Sequence, residues 1–155
     1  MLYYLSLGSN IGDREQTLRT ALTMIEQQIG SVVRCSSIFY SEPWGFSSPN
    51  PFCNLCCAVE TSLQPLHMLR ATQSIERALG RTHKSVNGVY HDRTIDIDLI
   101  RAFDEENKEI VLHISNEQSQ MSNTDLLTLP HPLWQERDFV RIPFTEIFLS
   151  NEEIH

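Results

Sequence analysis

Apolar and polar positions along this chain switch between a period of two and a period near 3.6. Leu2 to Leu7 is a short apolar run closed by Gly8-Ser9-Asn10, which predicts a first strand ending in a turn. Leu18, Ala21, Leu22, Ile25 and Ile29 then recur at helical spacing, with Asp13 placed as the cap, Gln16 three residues on as in a capping box, and Gly30 as the stop. Ser31 to Tyr40, carrying Val32, Val33, Ile38, Phe39 and Tyr40, predicts a second strand, and Phe52 to Thr61 a third. A second helix opens at Gln64-Pro65, shows Met68, Ala71, Ile75, Ala78 and Leu79 on one side, and ends at Gly80. From Arg93 to Ile100 the alternation is strict: Ile95, Ile97 and Leu99 fall on one face, and Thr94, Asp96 and Asp98 on the other.

The order strand, helix, strand, strand, helix, strand predicts an α+β fold of the ferredoxin-like β-α-β-β-α-β kind, with helices on one face of an antiparallel sheet. Residues 101–128 turn polar around one short apolar run, Ile110-Val111-Leu112, and read as a hairpin excursion. Phe144 to Leu149 closes the fold, and Asn151 to His155 is expected to fray. At 155 residues the chain is expected to form a single domain.

Charge narrows the functional classes. With 12 Lys+Arg against 20 Asp+Glu, the net charge of −8 disfavours coating nucleic acid or an anionic membrane, so binding is expected in a local pocket. No apolar run approaches the ~18 residues of a membrane span, and a cytoplasmic protein without an obligate protein partner is the expectation. Cys35, Cys53, Cys56 and Cys57 include one Cys-x-x-Cys on a predicted strand with no second pair, and so read as reduced core thiols rather than a zinc or redox site.

The acidic face of the last strand carries the strongest chemical signal. Same-face residues on a strand are ~6.7 Å apart, so Asp96 and Asp98 can share one small volume, as ligands of a hard cation such as magnesium would. An edge strand with acidic outward residues is the bland alternative. Against it stand Arg81, His83, Lys84, His91 and Arg93 just upstream, cations suited to a polyphosphate held beside the metal. The turn Gly8-Ser9-Asn10-Ile11-Gly12 lacks the Gly-Lys-Ser/Thr ending of a phosphate loop and reads as a glycine turn permitting positive φ. The loop from Ser41 to Pro51 is rich in proline and aromatics, which either line a ligand or fold onto the core. Asn54 is a lone amide in an apolar strand, satisfied by backbone or offered to a ligand. Gln73 and Glu76, three apart on the second helix, form a pair that ordinarily faces water. His131 is fixed between Pro130 and Pro132.

Taken in order, Leu5-Ser6-Leu7-Gly8-Ser9-Asn10, Tyr40-Ser41-Glu42-Pro43-Trp44-Gly45, Phe52-Cys53-Asn54, Gln73-Ser74-Ile75-Glu76, Gly80-Arg81, Arg93-Thr94-Ile95-Asp96-Ile97-Asp98 and Leu129-Pro130-His131-Pro132 resemble the 6-hydroxymethyl-7,8-dihydropterin pyrophosphokinase family of folate biosynthesis. The resemblance implies transfer of the β,γ-pyrophosphoryl group of ATP to the hydroxymethyl group of a reduced pterin, release of AMP, and two magnesium ions held by Asp96 and Asp98. It implies pterin contacts from Asn54, from the ring-sandwiching Phe52 and Phe139, from Asp96, and from backbone around Ser41, Pro43 and Trp44. It places Gln73, Glu76, Arg81, His83 or Lys84, Arg93, Thr128, His131 and Arg137 on the ATP side, with Arg81 and Arg93 joining the aspartates as catalytic groups.

Three departures from the family pattern stand out. Arg81-Thr82-His83 replaces the common Arg-x-Arg, Tyr90-His91-Asp92 replaces a tryptophan-glycine-proline, and the polar excursion is longer. If His83 faces the triphosphate, activity should decline on the alkaline side of neutrality as the imidazole loses its proton. Two rival readings are a metal-dependent phosphoesterase and a ferredoxin-like module that binds RNA or a small ligand without catalysis.

Overall fold

The computed structural model describes residues 1–41, 51–80, 94–115 and 125–153. Strand β1 (Leu2–Ser9) leads into helix α1 (Arg14–Gln28); β2 (Ser31–Cys35), β3 (Phe39–Ser41) and β4 (Phe52–Glu60) follow, then helix α2 (Pro65–Ala78) and β5 (Asp96–Phe103). The sheet runs β2-β4-β1-β5 with every pairing antiparallel, and β3 also pairs with β4. This is the predicted ferredoxin-like order. Beyond it, β6 (Leu112–Ser115) and β7 (Asp125–Leu129) form a separate antiparallel pair, and α3 (Asp138–Glu153) ends the described chain.

Period two sorts the side chains of the sheet into two cores. Tyr3, Leu5, Leu7, Leu55, Cys57, Val59, Ile97 and Leu99 pack with Leu18, Ala21 and Ile25 of α1 and Met68 and Ile75 of α2. The opposite face sends Tyr4, Cys56, Ala58 and Ile100 against Val140, Phe144 and Ile147 of α3. Helices therefore cover both faces, where the strand and helix pattern predicted one. The segment expected to close the fold at Phe144 to Leu149 is the middle of a sixteen-residue helix that continues to Glu153, past the expected fraying point. Arg101 of β5 ties this second core together. Its guanidinium lies 5.0–5.8 Å from the ring centres of Phe103, Trp134, Phe144 and Phe148, and it holds Glu109 through two hydrogen bonds of 2.8 and 2.9 Å.

Local signals meet their physical causes with some differences. Asp13 caps α1 by accepting the Gln16 N–H at 3.2 Å, but the Gln16 side chain turns to Thr20 instead of completing a capping box. Gly12 takes positive φ (69°) in the turn, whereas Gly8 lies within β1 and does not. Gly30 is needed for close packing, since a Cβ there would lie 2.1 Å from the Glu60 carbonyl oxygen. The single strand expected over Ser31 to Tyr40 is two strands. Ser36 breaks it: its backbone N–H bonds the Cys56 carbonyl while its hydroxyl accepts the Cys56 N–H, so one residue occupies both ladder positions. The acidic strand begins at Asp96, three residues later than expected, and runs on to Phe103.

Cys53, Cys56 and Cys57 are buried free thiols, as expected, while Cys35 is exposed on the edge strand. Burial pushes the Cys56 thiol up to about 12 and Cys57 well above its ordinary value, so both stay protonated and inert near neutrality. No helix among the described residues is long and apolar enough to cross a membrane.

Candidate active site

The register of the sheet assembles the candidate residues. Gly8 pairs with Asn54 on one side and with Asp96 on the other, and Ser6 pairs with Cys56 and Asp98. Asp96, Gly8 and Asn54 thus form one row across β5, β1 and β4, on the sheet face that α3 also covers. At a strand spacing of ~4.8 Å, the two outer members of the row are roughly 10 Å apart. Gly8, in the middle, has no side chain to fill the gap. The alternation read from the sequence holds: Ile95, Ile97 and Leu99 are buried and Asp96 and Asp98 half-buried.

Asn54 is 2% exposed, and its Nδ2 donates to the Ser41 hydroxyl at 2.8 Å, which fixes the plane of the amide. A Cβ on Gly8 would lie 2.7 Å from Asn54 Oδ1 and 3.5 Å from the Phe52 ring. Both side chains therefore lean over a floor that only glycine leaves low enough. The turn reading overlooked Gly8. The signal that could have found it is an isolated glycine inside a strand pattern, which marks close approach of another group. Phe139, in the first turn of α3, packs on the same core as Cys56 and Val140 and so joins this face from the other layer.

At the outer edge of β5, His131 N–H donates to the Ile100 carbonyl at 2.8 Å. Its Nδ1 accepts the Leu133 N–H at 3.1 Å, so the neutral ring carries its hydrogen on Nε2. Burial, and next the Arg137 guanidinium, hold the imidazole below its ordinary pKa against an opposing pull from Asp96. Near neutrality His131 is therefore an uncharged donor. Arg137 stacks its guanidinium 5.9 Å from the Phe139 ring. Thr128 lies on β7, where its hydroxyl meets His113 Nδ1 at 3.0 Å, a neighbour the sequence did not point to. Gln73 is half-buried on α2. Glu76, expected from its spacing to face water, is 3% exposed, and its Oε2 accepts the Ile97 N–H at 2.8 Å. Pro43, Trp44, Arg81, His83, Lys84, Tyr90, His91, Asp92 and Arg93 lie outside the described residues.

The donor set fits magnesium. Asp96 and Asp98 offer hard oxygen ligands on one face, and among the described residues no group of three or more His, Cys, Asp or Glu could hold a metal. Two carboxylates leave most of an octahedral shell to water and phosphate oxygens, the arrangement this ion favours.

Residues 4–149 match the model of a protein family described as 7,8-dihydro-6-hydroxymethylpterin-pyrophosphokinase. The chain belongs to this pyrophosphokinase family. It is 45% identical over 146 residues to the 2-amino-4-hydroxy-6-hydroxymethyldihydropteridine pyrophosphokinase of Porphyromonas gingivalis, covering 94% of this chain and 90% of that protein. Against the Bacillus subtilis protein of the same name it is 39% identical, covering 93% of this chain and 76% of its relative. Two solved structures share the fold. One is an HPPK-DHPS in complex with substrates (TM-score 0.65, 14% identity, 94% of this chain), and the other the Plasmodium falciparum HPPK-DHPS triple mutant (TM-score 0.69, 16% identity, 93% of this chain). The chain spans 40% of each of those longer chains. Family membership makes it an enzyme, an ATP-dependent pyrophosphokinase of folate biosynthesis.

Proposed function

We propose that this pyrophosphokinase passes the pyrophosphoryl group of ATP to the hydroxymethyl group of 6-hydroxymethyl-7,8-dihydropterin on the sheet face marked by Asp96, Gly8 and Asn54. The observation that carries the reading is that row. It sets a rigid amide on one side of Gly8 and, on the other, Asp96 with Asp98 one turn of the pleat further along β5, which suits joining a flat heterocycle to a polyphosphate.

The pterin ring lies toward β4 and the N-terminus of α3. Asn54, with one N–H already held by Ser41, presents its amide to the polar edge of the ring, while Phe52 and Phe139 offer aromatic faces. ATP lies toward β5. Asp96 and Asp98 would hold two magnesium ions, and His131 would donate its Nε2–H to a phosphate oxygen, with Arg137 supplying a fixed positive charge beside it. Such ions would supply the charge neutralisation that attack on a phosphoryl group needs. Gln73, Thr128, Arg81, Arg93 and His83 or Lys84 complete the nucleotide side in this reading. The three buried thiols fit a reducing compartment, in keeping with a cytoplasmic enzyme.

Product analysis tests the assignment. Incubation with ATP and magnesium should yield AMP and pterin pyrophosphate only when the pterin is present. Phosphate released from ATP without pterin would favour the phosphoesterase reading instead.

A further inference from the structure

We propose that Glu76 is a positioning residue for Asp96 and Asp98, acting by holding the outer edge of β5 at the peptide between them. The inference rests on the reading of Asp96 and Asp98 as metal ligands. Glutamate is among the residues least often fully buried, because removing a carboxylate from water is costly unless it is bonded. Glu76 is nonetheless 3% exposed on α2, beside the buried Thr72 and Ile75. An apolar residue there would continue the apolar face of the helix. The carboxylate instead accepts the Ile97 N–H at 2.8 Å.

The position of that bond matters. Among the described strands β5 pairs in the main sheet with β1 alone, and Asp96 is its first residue. A strand end with one neighbour is where a ladder opens first. Glu76 closes it one residue in, at Ile97, whose own side chain is anchored in the α1 and α2 core. The flanking carboxylates then leave the opposite face from a backbone held on both edges. Sites of this kind need geometry held to about 0.5 Å, and a hydrogen bond to the intervening peptide constrains both ligands at once.

The test compares Glu76→Leu, Glu76→Asp and Glu76→Gln, with Glu26→Leu as the control at the other sheet edge. Three quantities are measured: hydrogen exchange of the Ile97 amide without ligands, Mn2+ affinity with a non-hydrolysable ATP analogue, and affinity for that analogue without metal. In Glu76→Leu, Ile97 should lose protection and Mn2+ affinity should fall about tenfold or more. Metal-free analogue affinity should stay within about twofold of wild type. Glu76→Asp keeps the charge but withdraws the oxygen by about 1.5 Å, so it should show the same losses and serves if the leucine variant fails to fold. Glu76→Gln keeps an acceptor oxygen and should restore both Ile97 protection and most of the Mn2+ affinity.

Unchanged Mn2+ affinity in both Leu and Asp variants would overturn the proposal. So would an equal loss of metal-free analogue affinity, which would make Glu76 a nucleotide contact. Asp98→Asn, run alongside, separates the two levels of argument. Weakened Mn2+ binding there with normal binding in Glu76→Leu and Glu76→Asp overturns positioning alone, whereas normal binding in all three overturns the metal-site reading and the positioning role with it.

Discussion

The two outer strands of the sheet solve the same problem with the same residue type and to different ends. On β2, Glu26 of α1 accepts the Val32 N–H at 2.6 Å, and on β5, Glu76 of α2 accepts the Ile97 N–H at 2.8 Å. The first carboxylate is in water and the second is buried. Exposed strand edges invite pairing with other chains, and a charged group across an edge N–H discourages it. That accounts for Glu26, on a strand that also carries a register irregularity between Val32 and Arg34. It does not by itself account for burying Glu76, because the later part of the β5 edge is capped without a buried carboxylate: His131 takes the Ile100 carbonyl and Ile110 donates to the Ala102 carbonyl. In the proposed reading the difference is that β2 only has to stay solvated, while β5 also has to hold two metal-binding carboxylates still.

The largest effect should come from the two carboxylates proposed as metal ligands on β5. Asp96→Asn and Asp98→Asn each replace an anionic ligand by a neutral amide on a half-buried face, so the fold should survive. Transfer should fall by about two to three orders of magnitude, the equivalent of losing several kcal/mol of charge stabilisation. Initial rates of AMP formation across a magnesium titration check this; near-normal rates in either variant would remove that residue from the metal site.

Next come the residues at the other end of the row. Asn54→Ala removes a buried hydrogen-bonding group, typically ~1–3 kcal/mol, and should weaken the pterin without touching ATP. Gly8→Ala should do the same indirectly, since its Cβ would meet Asn54 Oδ1 at 2.7 Å and Ser41 restrains the amide from turning aside. Calorimetry with pterin in the presence of an ATP analogue, and with the analogue alone, separates the two ligands. Equal losses for both would mean that the row does not divide pterin from nucleotide.

What could be read from the sequence follows the range of the forces involved. The shared outward face of Asp96 and Asp98 was legible because period two is local and the neighbours Ile95, Ile97 and Leu99 declare which face is core. The strand order followed from the succession of elements. Helix α3 was not legible: Val140, Phe144 and Ile147 have helical spacing, but Pro143 reads as a break, and only packing against Tyr4, Cys56 and Ile100 overrides it. The division of β2 from β3 depends on Ser36 finding the Cys56 backbone, twenty residues away. Gly8 and Glu76 belong to the same class. Nothing adjacent in the chain shows that an amide will lean over one or that a strand edge will engage the other.

A smaller effect is expected at the solvated edge. Glu26→Ala leaves the Val32 N–H to water, so unfolding free energy should drop by no more than ~1 kcal/mol, with metal and substrate affinities unchanged. Urea denaturation and the Mn2+ titration together make the check. A fall in metal affinity here would erase the contrast between the edges.

The subtlest expectation returns to β5 and its other edge contact. His131 has its folded pKa held below the ordinary 6.5 by burial and by Arg137. Above pH 6.5 the ring is neutral in folded and unfolded chains alike, and its contribution to stability is complete. As the pH falls through 6.5, the unfolded chain takes up the proton first, so ν is larger for the unfolded state and stability decreases until the folded imidazole also titrates. His131→Asn keeps an acceptor for the Leu133 N–H and cannot titrate. Denaturation midpoints measured from pH 7.5 to 5.5 should therefore drop more steeply for wild type than for His131→Asn, with the curves diverging just below 6.5. Parallel curves would mean that the ring charges as easily in the fold as in water, and His131 could then no longer be described as a neutral donor at the edge of the site.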